Sequence, residues 1–98
     1  MEIIKNLNGS FLEIKLSGRL DTSTSPQLEE ELNKNLGNIT EIVLDFEKLE
    51  YISSAGLRVL LATQKTMNKQ GKMVIRNVGA DIMEVFDITG FCDILTIE

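Results

Sequence analysis

The chain contains no histidine. That absence removes the Ser-His-Asp and Cys-His nucleophile schemes, imidazole-supported zinc sites and the commonest general base. Cys92 is the single cysteine, so there is no internal disulfide framework, as expected for a reducing compartment. Set between Phe91 and Asp93, that thiol reads as a small packed hydrophobe. There is one proline, no low-complexity tract and no repeat of solenoid length. No apolar run approaches the roughly 20 residues that cross a bilayer. Met1 to Asn6 is too short and too polar for a signal peptide. A cytoplasmic protein with no membrane contact of its own is the expectation. Positive charge is scarce too: 15 Asp and Glu against 10 Lys and Arg give a net charge of −5. With the basic residues scattered, direct nucleic-acid binding is disfavoured, because it begins with a basic face.

What is present suits one globular unit. The 98 residues make a single domain, 1–98, and 43% of them are hydrophobic, enough for a packed core. Leu12, Ile14 and Leu16 alternate with Glu13, Lys15 and Ser17, the period of a strand with one wet face. Ile3-Ile4-Lys5 is a shorter strand before it, and Asn8-Gly9 predicts a hairpin turn between them. Asp21 to Pro26 is a polar loop. Ser25 followed by Pro26 predicts a helix start, and Leu28, Leu32 and Leu36 recur every four residues up to Gly37. Glu29, Glu30 and Glu31 lie near the positive end of that helix's dipole and read as a solvent face.

Ile42-Val43-Leu44 is a short apolar run of the kind found in strands covered on both faces. Asp45 to Ile52 is expected to be a loop whose acids, Asp45, Glu47 and Glu50, are solvated. A long helix starts near Ser53 or Ser54, carries Leu57, Leu60, Leu61 and Met67, and ends at Gln70-Gly71. Met73-Val74-Ile75 is another buried strand. A third helix from about Gly79 carries Ile82, Val85 and Phe86 on one side and stops at Gly90. Ile94 to Ile97 is read as a final strand, with a short helix as the alternative. The order β-β-α-β-α-β-α-β defines an α/β fold whose later strands are parallel and whose opening hairpin makes the sheet mixed.

One segment carries chemical information. In Tyr51-Ile52-Ser53-Ser54-Ala55-Gly56-Leu57-Arg58, two serines stand where a loop becomes a helix. Such a helix mouth has free backbone N–H groups and the positive end of a dipole, so it accommodates a phosphoryl group. Ala55 and Gly56 are small, which is expected to leave the backbone accessible to a partner. Capping by one serine is the simpler structural alternative. The segment is no Walker A loop, since no glycine-framed lysine follows it, and no cofactor or metal site is indicated.

YISSAGLRVLL resembles the core motif of the STAS domain family, the anti-sigma factor antagonists, whose usual form is D-S-[ST/A]-G-[LI]. Gly18-Arg19-Leu20-Asp21 is similar to that family's G-x-[LIV]-D after the second strand. Val85-Phe86-Asp87-Ile88-Thr89-Gly90-Phe91 is similar to its closing F-x-[IL]-T-G-[LF]. The three motifs stand in the family's order and cover essentially the whole chain. The resemblance implies a mixed sheet with helices mainly on one side and a non-enzymatic switch. Such a switch sequesters an anti-sigma factor when unphosphorylated and is turned off by serine phosphorylation. It further implies that this partner is a serine kinase with a histidine-kinase-like ATP fold, opposed by a serine phosphatase. Carried over by position, the phosphorylated residue is Ser54, and Asp21, Ser53, Ser54, Ala55, Gly56 and Arg58 form the partner surface.

Two positions depart from the family pattern. Ser53 replaces the aspartate before the phosphorylated serine, and Arg58 stands where glycine is frequent. Ser53 is the main ground for an alternative: a non-phosphorylated STAS scaffold module in a transporter or a multi-protein signalling assembly. An enzyme pairing Ser54 with Asp21 lacks both a base and a phosphate loop.

Overall fold

The structure is a computed structural model that describes residues 1–98. Two antiparallel strands open it, β1 (Glu2–Asn8) and β2 (Phe11–Leu20). Gly9 and Ser10 form the turn, with Asn8 already paired to Phe11, so the two-residue loop sits one position later than Asn8-Gly9. Gly9 takes a φ of +65° and Ser10 does not leave the negative range, the pattern of a II′ hairpin. Helix α1 (Ser25–Asn35) follows and tightens into a short 3₁₀ turn, Leu36–Asn38. Its cap position is Thr24, and Ser25 is the first helical residue, with its hydroxyl donating to the Asp21 carbonyl at 2.6 Å.

Strand β3 (Glu41–Ile52) pairs parallel to β2, and after helix α2 (Ser54–Gln70) strand β4 (Lys72–Arg76) pairs parallel to β3. The sheet order is β1-β2-β3-β4. Helix α3 (Ala80–Thr89) closes on Gly90 in the left-handed conformation, φ +79°. The expected α/β architecture with its mixed sheet is therefore present.

The core lies on one face of the sheet. Leu12, Ile14 and Leu16 of β2 and Ile42, Leu44 and Phe46 of β3 are all buried within one cluster. Leu28 and Leu32 of α1, Leu60 and Met67 of α2, and Ile82 and Phe86 of α3 join that same cluster, so all three helices cover this face. Each fully buried side chain of this kind contributes about 1.5–3 kcal/mol. The Phe46 and Phe86 rings meet at 6.4 Å, tying α3 to β3.

Two expectations fail. Asp45 to Ile52 is not a loop but the second half of β3. Lys15 pairs with Asp45 and Ser17 with Lys48, then Gly18 with Leu49 and Arg19 with Tyr51, so β3 twice carries one residue more than β2. These bulges space the buried residues Phe46, Leu49 and Ile52 by three, which hides the strand period of two. Of the three acids, Glu47 and Glu50 are exposed as expected, but Asp45 is not merely solvated: its carboxylate accepts from the Glu47 amide at 2.9 Å and from Asn77 at 3.1 Å. At the C-terminus, Phe91–Asp93 is a 3₁₀ turn, and Ile94 to Ile97 makes only one parallel bridge, Ile75 to Ile97, instead of a strand.

Candidate functional site

The site is built where two parallel strands end together. Leu20 is the last residue of β2 and Ile52 the last of β3, and the two are paired. Asp21 and Ser53 come next on their chains. The Ser53 amide donates to the Leu20 carbonyl at 2.9 Å, and the Ser53 carbonyl accepts from Leu57 at 3.0 Å, beginning α2. A backbone hydrogen bond thus ties the helix mouth to the sheet.

Ser53 occupies the cap position in extended conformation (φ −102°, ψ 176°), yet its hydroxyl makes no capping bond. Its Oγ is buried and has no hydrogen-bond partner. Ser54, the first helical residue, is exposed. The two adjacent serines therefore differ sharply in accessibility. Ala55 is half-buried and Arg58 is exposed, with no ion pair of its own.

Gly56 corrects the expectation of an accessible backbone. It is buried, and a Cβ there would lie 2.8 Å from Leu20 Cγ and 2.8 Å from Ile52 Cγ1. Glycine at this position lets α2 lie directly on the ends of β2 and β3. Its contribution to the site is the placement of the serines.

Asp21 is turned inward on its own loop. Its Oδ1 accepts from the Ser23 hydroxyl at 2.8 Å, the Ser23 amide at 3.0 Å and the Thr24 amide at 3.1 Å. Those donors, the Ser23 hydroxyl foremost, outweigh partial burial and hold the carboxyl at about 2, below its ordinary 3.8. The remaining oxygen, Oδ2, faces Arg19 Nε at 3.5 Å. The acid expected to face a partner is thus the centre of the turn that launches α1.

Arg19 and Tyr51 escaped the sequence reading. The Arg19 guanidinium stacks over the Tyr51 ring at 4.1 Å from its centroid, and both side chains are exposed beside the site. Each stands one residue before a strand end, so a correct β2–β3 register was the one signal able to join them. The bulges concealed that register.

Between α1 and α2 runs an open groove of about 410 Å³, lined by Thr22, Ser25, Pro26 and Glu29 on one side and Ala55, Arg58, Val59 and Ala62 on the other. No three His, Cys, Asp or Glu side chains converge into a metal site. No helix is long and apolar enough to cross a membrane. Cys92 sits apart, its thiol donating to Asp87 at 2.9 Å, and the carboxylate with partial burial pushes that thiol up to about 11.

A mixed four-stranded sheet with its helices on one face, and an exposed serine at the head of a helix anchored to two strand ends, define a small α/β module with one polar helix mouth. The chain belongs to the STAS domain family, whose model matches residues 2–98. It is 35% identical to the anti-sigma-B factor antagonist of Staphylococcus aureus over 90 residues, covering 90% of this chain and 83% of that one. It is 38% identical to BtrV of Bordetella bronchiseptica over 84 residues, 84% of this chain and 72% of that one. Among solved structures it shares the fold of SpoIIAA of Bacillus, an anti-sigma factor antagonist solved in unphosphorylated and phosphorylated forms. That likeness has a TM-score of 0.78, with 19–20% identity, 99% of this chain and 87–91% of that one covered.

Proposed function

We propose that the protein is an anti-sigma factor antagonist: it binds and sequesters an anti-sigma factor through the α2 mouth and catalyses nothing itself. Phosphorylation of Ser54 ends the binding, and a serine phosphatase restores it. The partner is itself the serine kinase, with a histidine-kinase-like ATP fold, and all of these act in the cytoplasm. Family membership and the Staphylococcus aureus relative support the partner class. The observation that carries the switch is the contrast at the helix mouth, where Ser54 is exposed and the Ser53 hydroxyl is sealed off. A phosphate adds about −1.5 to −2 charge, and desolvating it at an interface costs several kcal/mol unless cations meet it.

The test begins with intact mass after incubation with candidate kinases and ATP, followed by mapping of the added phosphate to Ser54. Titration against the anti-sigma factor then compares wild type, Ser54→Ala, Ser54→Asp and the phosphorylated chain. Alanine retains affinity, and aspartate weakens it in part. If the phosphorylated chain and Ser54→Asp both bind as tightly as wild type, the switch reading is lost.

Ser53 favours a second reading. The family's aspartate is replaced here by a hydroxyl that touches no polar group, which suits a scaffold module that is never phosphorylated. Co-purification with a multi-subunit assembly, unchanged by Ser54→Asp, would support it.

A further inference from the structure

We infer that Arg58 is an internal receptor for a phosphate on Ser54, so that the modified site becomes an intrahelical ion pair. The inference rests on the reading of Ser54 as the modified residue and adds how the modified state is held. Ser54 and Arg58 are both exposed and lie one helical turn apart on α2, at i and i+4, where side chains share a face. Helical side chains lean toward the N-terminus, so the long arginine projects back over the turn that Ser54 begins. Arg58 has no ion pair, whereas Arg19 is already engaged by Asp21 and stacked on Tyr51. The one carboxylate lining the groove beside Arg58 is Glu29, which does not reach ion-pair distance. A guanidinium matches phosphate oxygens with two parallel N–H donors, which an ammonium cannot do.

The consequence is a switch with two parts. Adding the phosphate places negative charge at the contact surface and at the same moment withdraws a free cation from it. Arg58, which departs from the glycine common in the family motif, thereby acquires a role in the modified state.

The test uses full-length protein carrying phosphoserine installed at position 54 during synthesis, so it needs no cognate kinase. The second ionisation of the phosphate is followed by ³¹P NMR in wild type, Arg58→Gln, Arg58→Lys and Glu29→Gln. The helix dipole acts equally in all four, so their differences isolate the arginine. Arg58→Gln should raise the phosphate pKa by about 0.3 unit or more, the size of an exposed i,i+4 pair. Arg58→Lys should fall between, and Glu29→Gln should lower the value slightly, because it removes a negative charge from the groove that also repels the phosphate. About 1 M salt should shrink the difference between wild type and Arg58→Gln. Identical titrations in wild type and Arg58→Gln would overturn the inference, whether or not any kinase modifies Ser54. A phosphate mapped elsewhere by the cognate kinase would remove the switch reading and leave the ion-pair measurement standing.

Discussion

The Ser53 amide donates to the Leu20 carbonyl at 2.9 Å, and this bond carries the β2–β3 ladder into the first turn of α2. Because the bond is backbone to backbone, the helix mouth holds its place whatever side chain stands at 53. Its position depends instead on how closely α2 approaches the two strand ends, which Gly56 decides.

Gly56→Ala should therefore destabilise the fold, against the usual trend in helices. Alanine normally gains about 1 kcal/mol over glycine in a helix. Here the new methyl would sit 2.8 Å from the branched Leu20 Cγ as well as from Ile52, and neither atom is the free end of its chain. Overpacking of that kind costs about 1–3 kcal/mol, so after the helix gain a net loss of up to about 2 kcal/mol is expected. Urea denaturation measures it. A stability equal to or above wild type would mean that α2 is free to lift off the sheet.

The serine pair gives the opposite sense at neighbouring positions. Replacing a capping serine ordinarily costs about 0.5–2 kcal/mol. The Ser53 hydroxyl caps nothing and is buried without a partner, so Ser53→Ala should leave stability unchanged or raise it by up to about 1 kcal/mol. Ser54→Ala, at an exposed helical position with no bond to lose, should stay within about 0.5 kcal/mol. Thermal melts of both variants check this, and a clear drop for Ser53→Ala would indicate a capping bond in solution.

Much of the fold is legible in the sequence where one period runs uninterrupted. Leu12, Ile14 and Leu16 alternate cleanly and all face the core, and the Leu28–Leu32 spacing marks α1. Legibility ends at β3, whose bulges put buried residues at 46, 49 and 52, a spacing of three that masks the strand period of two. It ends again at Ile94 to Ile97, where Leu95 is buried but Ile94 stays 45% exposed and the chain touches β4 through one bridge. At the site, the motif locates the helix mouth correctly. Whether Gly56 faces a partner or the sheet depends on the rotation of α2 about its axis, which a motif does not record.

Asp21 should make stability depend on acid. Its carboxyl titrates at about 2 in the folded chain and near 3.8 when unconstrained, so the folded state favours the ionised form. The resulting stabilisation is fully present above the unfolded value and is lost as pH falls through 3.8 toward about 2. The urea midpoint of Asp21→Ala should lie below wild type at pH 6, and the gap should narrow across that window. A gap independent of pH would mean that the turn needs only an acceptor at position 21, ionised or not.

Cys92 should be a slow nucleophile. Its thiol donates to Asp87 at 2.9 Å, and the Asp87 and Asp93 charges add to partial burial in keeping it protonated, from an ordinary 9.0 up to about 11. Only the thiolate attacks, and a thiol held that high is ionised about a hundredfold less at pH 8 than an ordinary one. Iodoacetamide should therefore label the folded protein far more slowly than the urea-unfolded chain, beyond what partial burial alone imposes. Asp87→Asn separates the two effects, because it removes the charge and leaves the packing nearly unchanged. The variant should label about tenfold faster or more at pH 8. Its rate should also level off at a lower pH than that of wild type, since its thiol ionises earlier. Equal rates in the two proteins would show that steric access, and not the Asp87 carboxylate, keeps this cysteine inert.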